Sequence, residues 1–169
     1  AEQGEGWKRV DGVIVFDTPA REAGQQSVLG LRTAPMDTVR VGFIGLGMRG
    51  PGAVERFTYL DGVAIKALCD LYPQQILEKH GLPAAASYSG EEGWKELCER
   101  DDIDLVYIAT PWLKHVPMAV YAMEHGKHVA VEVPAAQSLD ECWQLVNTAE
   151  KYQRHCMMLE NCVYDFFEL

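Results

Sequence analysis

Val39-Arg40-Val41-Gly42-Phe43-Ile44-Gly45-Leu46-Gly47-Met48-Arg49-Gly50 decides how this chain folds. Its first half is a largely apolar, β-branched run, its second half fits G-x-G-x-x-G, and after Gly50 the apolar residues change to helical spacing. Strand, glycine turn and helix in that order open a βαβ unit, and each glycine has a physical task in it. Gly45 permits a tight turn, Gly47 lets a pyrophosphate approach the backbone, and Gly50 permits close packing of helix against strand. The helix N-terminus adds free N–H groups and partial positive charge. Glycines cluster in any tight turn, so the motif gains its weight from two neighbours: the apolar strand before it, and Asp70, 20 residues past Gly50. An acidic side chain at the tip of the second strand accepts hydrogen bonds from an adenosine ribose and repels a 2′-phosphate, which favours NAD over NADP. The plain alternative for Asp70 is a surface carboxylate before the Pro73 turn. Arg49 either approaches the pyrophosphate or is solvated on the first helical turn.

Outward from this loop the same alternation repeats. Strands are expected at Val39 to Gly45, Val63 to Cys69, Leu105 to Ala109, His128 to Val131 and Cys156 to Leu159, apolar at nearly every position as strands buried on both faces are. Between them, Pro51 to Leu60, Pro73 to His80, Glu91 to Arg100, Lys114 to His125 and Ser138 to Gln153 carry apolar residues at helical spacing. In the last of these Leu139, Cys142, Trp143, Val146, Ala149 and Tyr152 form the expected core face. Ser138 with Glu141 is a capping box, and Gly126 stops the helix before it. The fold class is therefore α/β, a Rossmann-type doubly wound parallel sheet. Residues 38–169 are read as the nucleotide-binding domain. Residues 1–37, rich in Gly, Gln, Thr, Pro and Ala, are read as an arm with a single short strand at Val13-Ile14-Val15-Phe16.

The chain has 169 residues, with 25 Asp and Glu against 15 Lys and Arg, so its formal charge is 15 − 25 = −10. That balance, with no basic block, argues against nucleic acid or an anionic membrane as partner. At 48% apolar and 24% charged residues the composition is that of a globular domain. Cys69, Cys98, Cys142, Cys156 and Cys162 are odd in number and include no Cys-x-x-Cys, so neither a disulfide framework nor a metal site is expected. No apolar run approaches the ~20 residues of a membrane span. The start, Ala1-Glu2-Gln3-Gly4, has neither a basic nor an apolar leader segment, and the missing initiator methionine with the polar arm favours a periplasmic or secreted home over a cytoplasmic one.

Open α/β sheets bind ligands beyond the carboxyl ends of their strands. There stand Thr110-Pro111-Trp112-Leu113-Lys114-His115, Glu132-Val133-Pro134 and Glu160-Asn161. Trp112 can cover a flat ring, Glu132 can meet a sugar or ribose hydroxyl, and Asn161 can donate and accept around a nicotinamide. The plain alternatives are a common strand exit at Thr110-Pro111, a helix start at His115 and a solvated carboxylate at Glu132.

With these residues in place, the chain from Val39 to about Asn161 resembles the Gfo/Idh/MocA oxidoreductases, named for glucose-fructose oxidoreductase and inositol dehydrogenase. The carriers are Gly45-Leu46-Gly47-Met48-Arg49-Gly50, Cys69-Asp70, Ala109-Thr110-Pro111 with His115, Gly126-Lys127-His128-Val129, and Glu132-Val133-Pro134. Most of that family reads Glu-Lys-Pro at the last tripeptide, with the lysine assisting hydride transfer; Val133 cannot move a proton. The stretches Val39 to Val54, Glu132 to Ala136 and Met158 to Cys162 look like glycoside hydrolase family 109, which includes NAD-dependent α-N-acetylgalactosaminidases. The resemblance implies transient oxidation of the sugar at C3, elimination of the aglycone, water addition and re-reduction, outside the two-carboxylate scheme of most glycosidases. It implies a small-molecule glycoside substrate and NAD as cofactor, and it leaves a homo-oligomer open. By that match Gly45, Gly47, Met48, Arg49, Asp70, Trp112, Leu113, Lys114, His115, Glu132, Val133 and Asn161 fall on cofactor-binding positions.

The helix after Asp70 is shorter than the family's, so the chain is either trimmed there or missing residues after Pro73. The family's substrate domain lies past the reach of this sequence, so catalytic groups are expected beyond Leu169 and the chain is expected to be inactive by itself. Two other readings stand beside the glycosidase: an NAD-dependent sugar or polyol dehydrogenase, which needs another base, and a non-catalytic sugar- or nucleotide-sensing module.

Overall fold

The computed structural model describes residues 3, 4, 6–82, 85–163 and 166; the first residues, Ala1 and Glu2, and the last, Leu169, lie outside these. Three short strands come first, β1 (Gln3–Gly4), β2 (Trp7–Val10) and β3 (Val13–Phe16), and they pair as an antiparallel sheet. Among the described residues the arm thus holds three strands where one was expected. The cause is local: Asp11 and Gly12 both take positive φ, 48° and 84°, and join Val10 to Val13 as a two-residue hairpin turn.

The main sheet has six parallel strands: β4 (Val39–Ile44), β5 (Val63–Cys69), β6 (Ala86–Tyr88), β7 (Leu105–Ile108), β8 (His128–Glu132) and β9 (Cys156–Leu159). Their order across the sheet is β6-β5-β4-β7-β8-β9. The chain therefore winds outward from β4 to one edge, returns to β7 and winds to the other edge, which places a switch point between β4 and β7. The strand β6 was not expected; only three residues long with Ser87 exposed, it pairs only with β5 and carries no apolar run.

Helices α1 (Gly50–Phe57) and α2 (Gln74–His80) cover one face, where Val41, Phe43, Val54, Leu68, Leu77 and Tyr107 cluster. The other face packs against α3 (Gly93–Cys98), α4 (His115–Glu124) and α5 (Leu139–Tyr152), with Ile44, Leu97, Val106, Ile108, Met123 and Val131 inside. Burial on both faces explains the continuous apolar runs of β4 and β7. At Gly42 a Cβ would lie 2.7 Å from Leu97 Cδ2 and 2.8 Å from Ile103 Cδ1, so glycine is what lets α3 press onto β4.

The expected core face of α5 is rotated. Leu145, Thr148 and Ala149 are buried, whereas Leu139 and Val146 are exposed. The apolar residues of α5 are divided between two neighbours, because Trp143 and Val146 turn to the N-terminal arm around Thr18 to Arg21. Glu150, only 3% exposed, is held there by two bonds from the Arg21 guanidinium, 2.7 and 2.9 Å, and one from Gln25 Nε2, 2.8 Å. Of the capping box expected at Ser138, the forward half forms, with Ser138 Oγ accepting from the Glu141 amide, whereas the Glu141 carboxylate accepts from the amide of Gln137, one residue before the cap.

Candidate functional site

The glycine loop sits at the switch point because β4 ends at Ile44 and Gly45 turns with φ of +91°. Gly45, expected as the last strand residue, lies just past the strand for that reason. A Cβ on Gly45 would come within 2.6 Å of the Ala109 carbonyl, and one on Gly50 within 2.0 Å of the Gly45 oxygen. Any side chain at either position would force loop, helix and β7 apart. Nothing lies within 4 Å of the Cβ direction at Gly47, so the loop is open there to an approaching group. Helix α1 begins with no side-chain cap and no acidic residue in its first turn. Uncapped amides, partial positive charge and an open glycine face fit a pyrophosphate.

Asp70 closes the loop from the next strand. Its Oδ2 accepts the Leu46 amide at 2.6 Å and its Oδ1 accepts the Leu71 amide at 2.7 Å. Oδ1 also accepts the Tyr72 amide at 3.3 Å, so of the carboxylate's about four acceptor sites the one left for a ribose hydroxyl is on Oδ2. Met48, 92% exposed, and Arg49 point into solvent beside the loop.

On the other side of the switch point the chain leaves β7 at Ile108 and enters a short 3₁₀ turn, Trp112–Lys114. Trp112, Leu113 and Lys114 are exposed. His115 is not: the imidazole is 1% exposed, with Nδ1 2.8 Å from the Pro134 oxygen and Nε2 2.8 Å from the Thr110 oxygen. Its ring is occupied at both ends and ties the exits of β7 and β8 together.

At the end of β8, Glu132 is buried and its Oε1 accepts the Tyr107 hydroxyl at 2.7 Å. Val133 follows, half-buried, and precedes Pro134 through a cis peptide. Tyr107 was missed by the sequence reading. It stacks on Phe43 with ring centres 5.2 Å apart and meets Phe57 edge-on at 5.8 Å. Burial first, then the hydrogen bond to Glu132 and its charge, push the Tyr107 hydroxyl well above the ordinary tyrosine range. The signal that could have found it is register, since Tyr107 pairs with Ala130 and shares a sheet face with Glu132 two residues on.

These contacts form one continuous rim: Asp70 to Leu46, Gly45 to Ala109 and Thr110, Thr110 through His115 to Pro134, and Glu132 beside it. Asn161 stands past β9, exposed, where its amide donates to Cys162 Sγ. It emerges at the same end of the sheet, because Leu159 pairs with Glu132. Among the described residues no group of three or more potential ligands is arranged to hold a metal.

A family described as "Oxidoreductase family, NAD-binding Rossmann fold" (GFO_IDH_MocA) matches residues 39–160. Glycosyl hydrolase family 109 protein 1 of Bacteroides thetaiotaomicron is 68% identical over 163 residues, covering 92% of this chain and 35% of that protein. An alpha-N-acetylgalactosaminidase of Bacteroides fragilis is 57% identical over 151 residues, covering 86% of this chain and 36% of its own length. The chain thus spans about a third of the length of these relatives. Among solved structures, an NAD binding oxidoreductase from Klebsiella pneumoniae superposes with a TM-score of 0.63 at 26% identity, over 76% of this chain and 36% of the other. GenD2 from gentamicin A biosynthesis, in complex with NAD, gives 0.68 at 21% identity over 87% and 38%, a likeness of fold.

Proposed function

The chain belongs to the Gfo/Idh/MocA oxidoreductase family, with its NAD-binding Rossmann fold, and from that premise we propose that it is the cofactor-holding part of a glycosidase acting on α-N-acetylgalactosaminides. The observation that carries this reading is Val133, seated beside Glu132 at the carboxyl end of β8, where most of the family has a lysine. An aliphatic side chain there moves no proton. This favours a reaction in which no net alcohol oxidation is completed, and the names of the relatives at 57% to 68% identity point the same way.

When bound, NAD would supply a hydride acceptor for a sugar carbinol. The chain's own residues bind and orient. The amides around Gly47 and the start of α1 hold the pyrophosphate, and Asp70 accepts from the adenosine ribose. Glu132 accepts from the second ribose, and Trp112 to Lys114 cover the ring system. Groups that grip the sugar and move protons are assigned to the length these relatives carry beyond the matched third.

The test uses the protein extended to the length of its relatives. It should hydrolyse a nitrophenyl α-N-acetylgalactosaminide with no added redox substrate and lose that activity when stripped of NAD. Net accumulation of NADH with a sugar alcohol would sink the glycosidase in favour of a polyol dehydrogenase. NAD binding with neither activity would leave a sensing module.

A further inference from the structure

Tyr107 belongs to the buried face of β7, yet it carries the only hydroxyl on that strand and spends it on a residue at the rim. Its ring is fixed on two sides, stacked on Phe43 at 5.2 Å and edge-on to Phe57 at 5.8 Å, and Phe57 is itself edge-on to Phe43 at 5.2 Å. Phe57 ends α1, the helix that opens at the glycine loop, and Phe43 lies on β4, the strand that leads into it. The hydroxyl therefore occupies one position relative to the loop. From there it donates to Oε1 of Glu132 at 2.7 Å.

Glu132 has three rotatable side-chain bonds, and an unanchored carboxylate at a strand end would sample several rotamers. Anchored through Oε1, it holds its other oxygen in one direction. Oε2 accepts no hydrogen bond among the described residues and is not sealed from solvent. We infer that Tyr107 is a positioning residue, which pins Oε1 of Glu132 so that Oε2 faces the hydroxyls of the nicotinamide-side ribose of a bound dinucleotide. A pre-placed acceptor binds with less loss of side-chain freedom than one that must be ordered by the ligand. This rests on the reading that Glu132 touches the cofactor, and the test separates the two.

Affinities for NAD and for ADP, which reaches the glycine loop but has no nicotinamide ribose, are measured by calorimetry. The proteins are the unaltered chain, Tyr107→Phe, Glu132→Gln and the double variant. Tyr107→Phe keeps the ring and its stacking and removes only the hydroxyl. Its NAD affinity should fall about 3- to 10-fold, the range of one hydrogen bond, while ADP binds as before. Glu132→Gln should also weaken NAD and spare ADP, and the double variant should be no weaker than Glu132→Gln alone, since both act through one contact. Unchanged NAD affinity in Tyr107→Phe beside a weakened Glu132→Gln overturns the positioning role and leaves the Glu132 contact standing. Unchanged affinity in Glu132→Gln removes that contact and this proposal with it. Equal loss of NAD and ADP in Tyr107→Phe marks general damage to the fold and likewise overturns the inference. An unaltered protein that binds no NAD removes the cofactor reading itself.

Discussion

Asp70 fixes the glycine loop against the end of β5 by accepting the Leu46 and Leu71 amides at 2.6 and 2.7 Å, and its proposed second task is to accept from an adenosine ribose. Replacing it with Ala therefore has two separable effects. Losing the acceptor for a partly buried amide lowers stability by about 1–3 kcal/mol, visible as a lower thermal midpoint without any ligand. Losing the ribose partner weakens NAD more than NADP, because the repulsion of a 2′-phosphate disappears with the charge. Calorimetric titration of Asp70→Ala with both dinucleotides checks this: equal weakening would mean that the loop-holding task accounts for everything. The ribose contact is an expectation drawn from the spacing past Gly50, whereas the loop-holding contact was not legible in the sequence, since an amide acceptor leaves no mark on residue identity. His115 shows the same division. Its place after Thr110 was readable, but the seating of its ring between the Thr110 and Pro134 oxygens depends on how closely two strand exits approach.

At the level of elements, the central parallel strands were legible because burial on both faces demands unbroken apolar runs. Val63–Cys69 matches residue for residue, and Cys156–Leu159 matches in extent although, at the sheet edge, its Met157 and Met158 are exposed rather than buried. What escaped was edge or surface structure. The strand β6 needs only pairing with β5, and the hairpin of β2 and β3 is announced by Asp11-Gly12 rather than by any run. The face of α5 was misplaced because a helix packed on two sides shows two overlapping apolar stripes. Its second neighbour is the arm, fastened through Glu150 to Arg21 and Gln25, with Val28 packed against the core. That fastening is pH-dependent with a definite sign. Hydrogen bonding from Arg21 holds the Glu150 carboxyl below its ordinary value. Its contribution is therefore complete above roughly pH 5, the upper side of an ordinary glutamate titration. It is lost as the pH falls through the lowered value. Amide exchange in residues 18–31, corrected for intrinsic rates, should accelerate on acidification while β8 and α4 stay protected. Glu150→Gln should reproduce the release at pH 7. An arm equally protected in that variant would show that Val28 and the bond from Gln153 to the Gln26 carbonyl hold it unaided.

For the whole molecule, the rim joins parts that the winding of the chain keeps separate. The loop and Asp70 come from the half of the sheet built outward from β4, whereas Thr110, Glu132 and Asn161 come from the half that begins at β7. A dinucleotide held at both ends spans the switch point and binds only when both halves are folded, so its binding free energy adds to the stability of the entire domain. Mass action sets the size: at a ligand concentration 100 times Kd the gain is about 2.7 kcal/mol. For a domain of 150–250 residues each kcal/mol shifts the midpoint by about 2–4 °C, so saturating NAD should raise it by about 5–11 °C. Adenosine monophosphate, which reaches only the Asp70 side, should give a smaller rise at the same concentration, because it binds more weakly. The rise with NAD should grow with the logarithm of ligand concentration and appear as a single cooperative transition. A transition that splits in two, with only one part shifted by NAD, would mean that the two halves melt independently and that the rim does not couple them. A midpoint indifferent to millimolar NAD would mean that the open face at Gly47, the uncapped start of α1 and Asp70 do not together make a dinucleotide site.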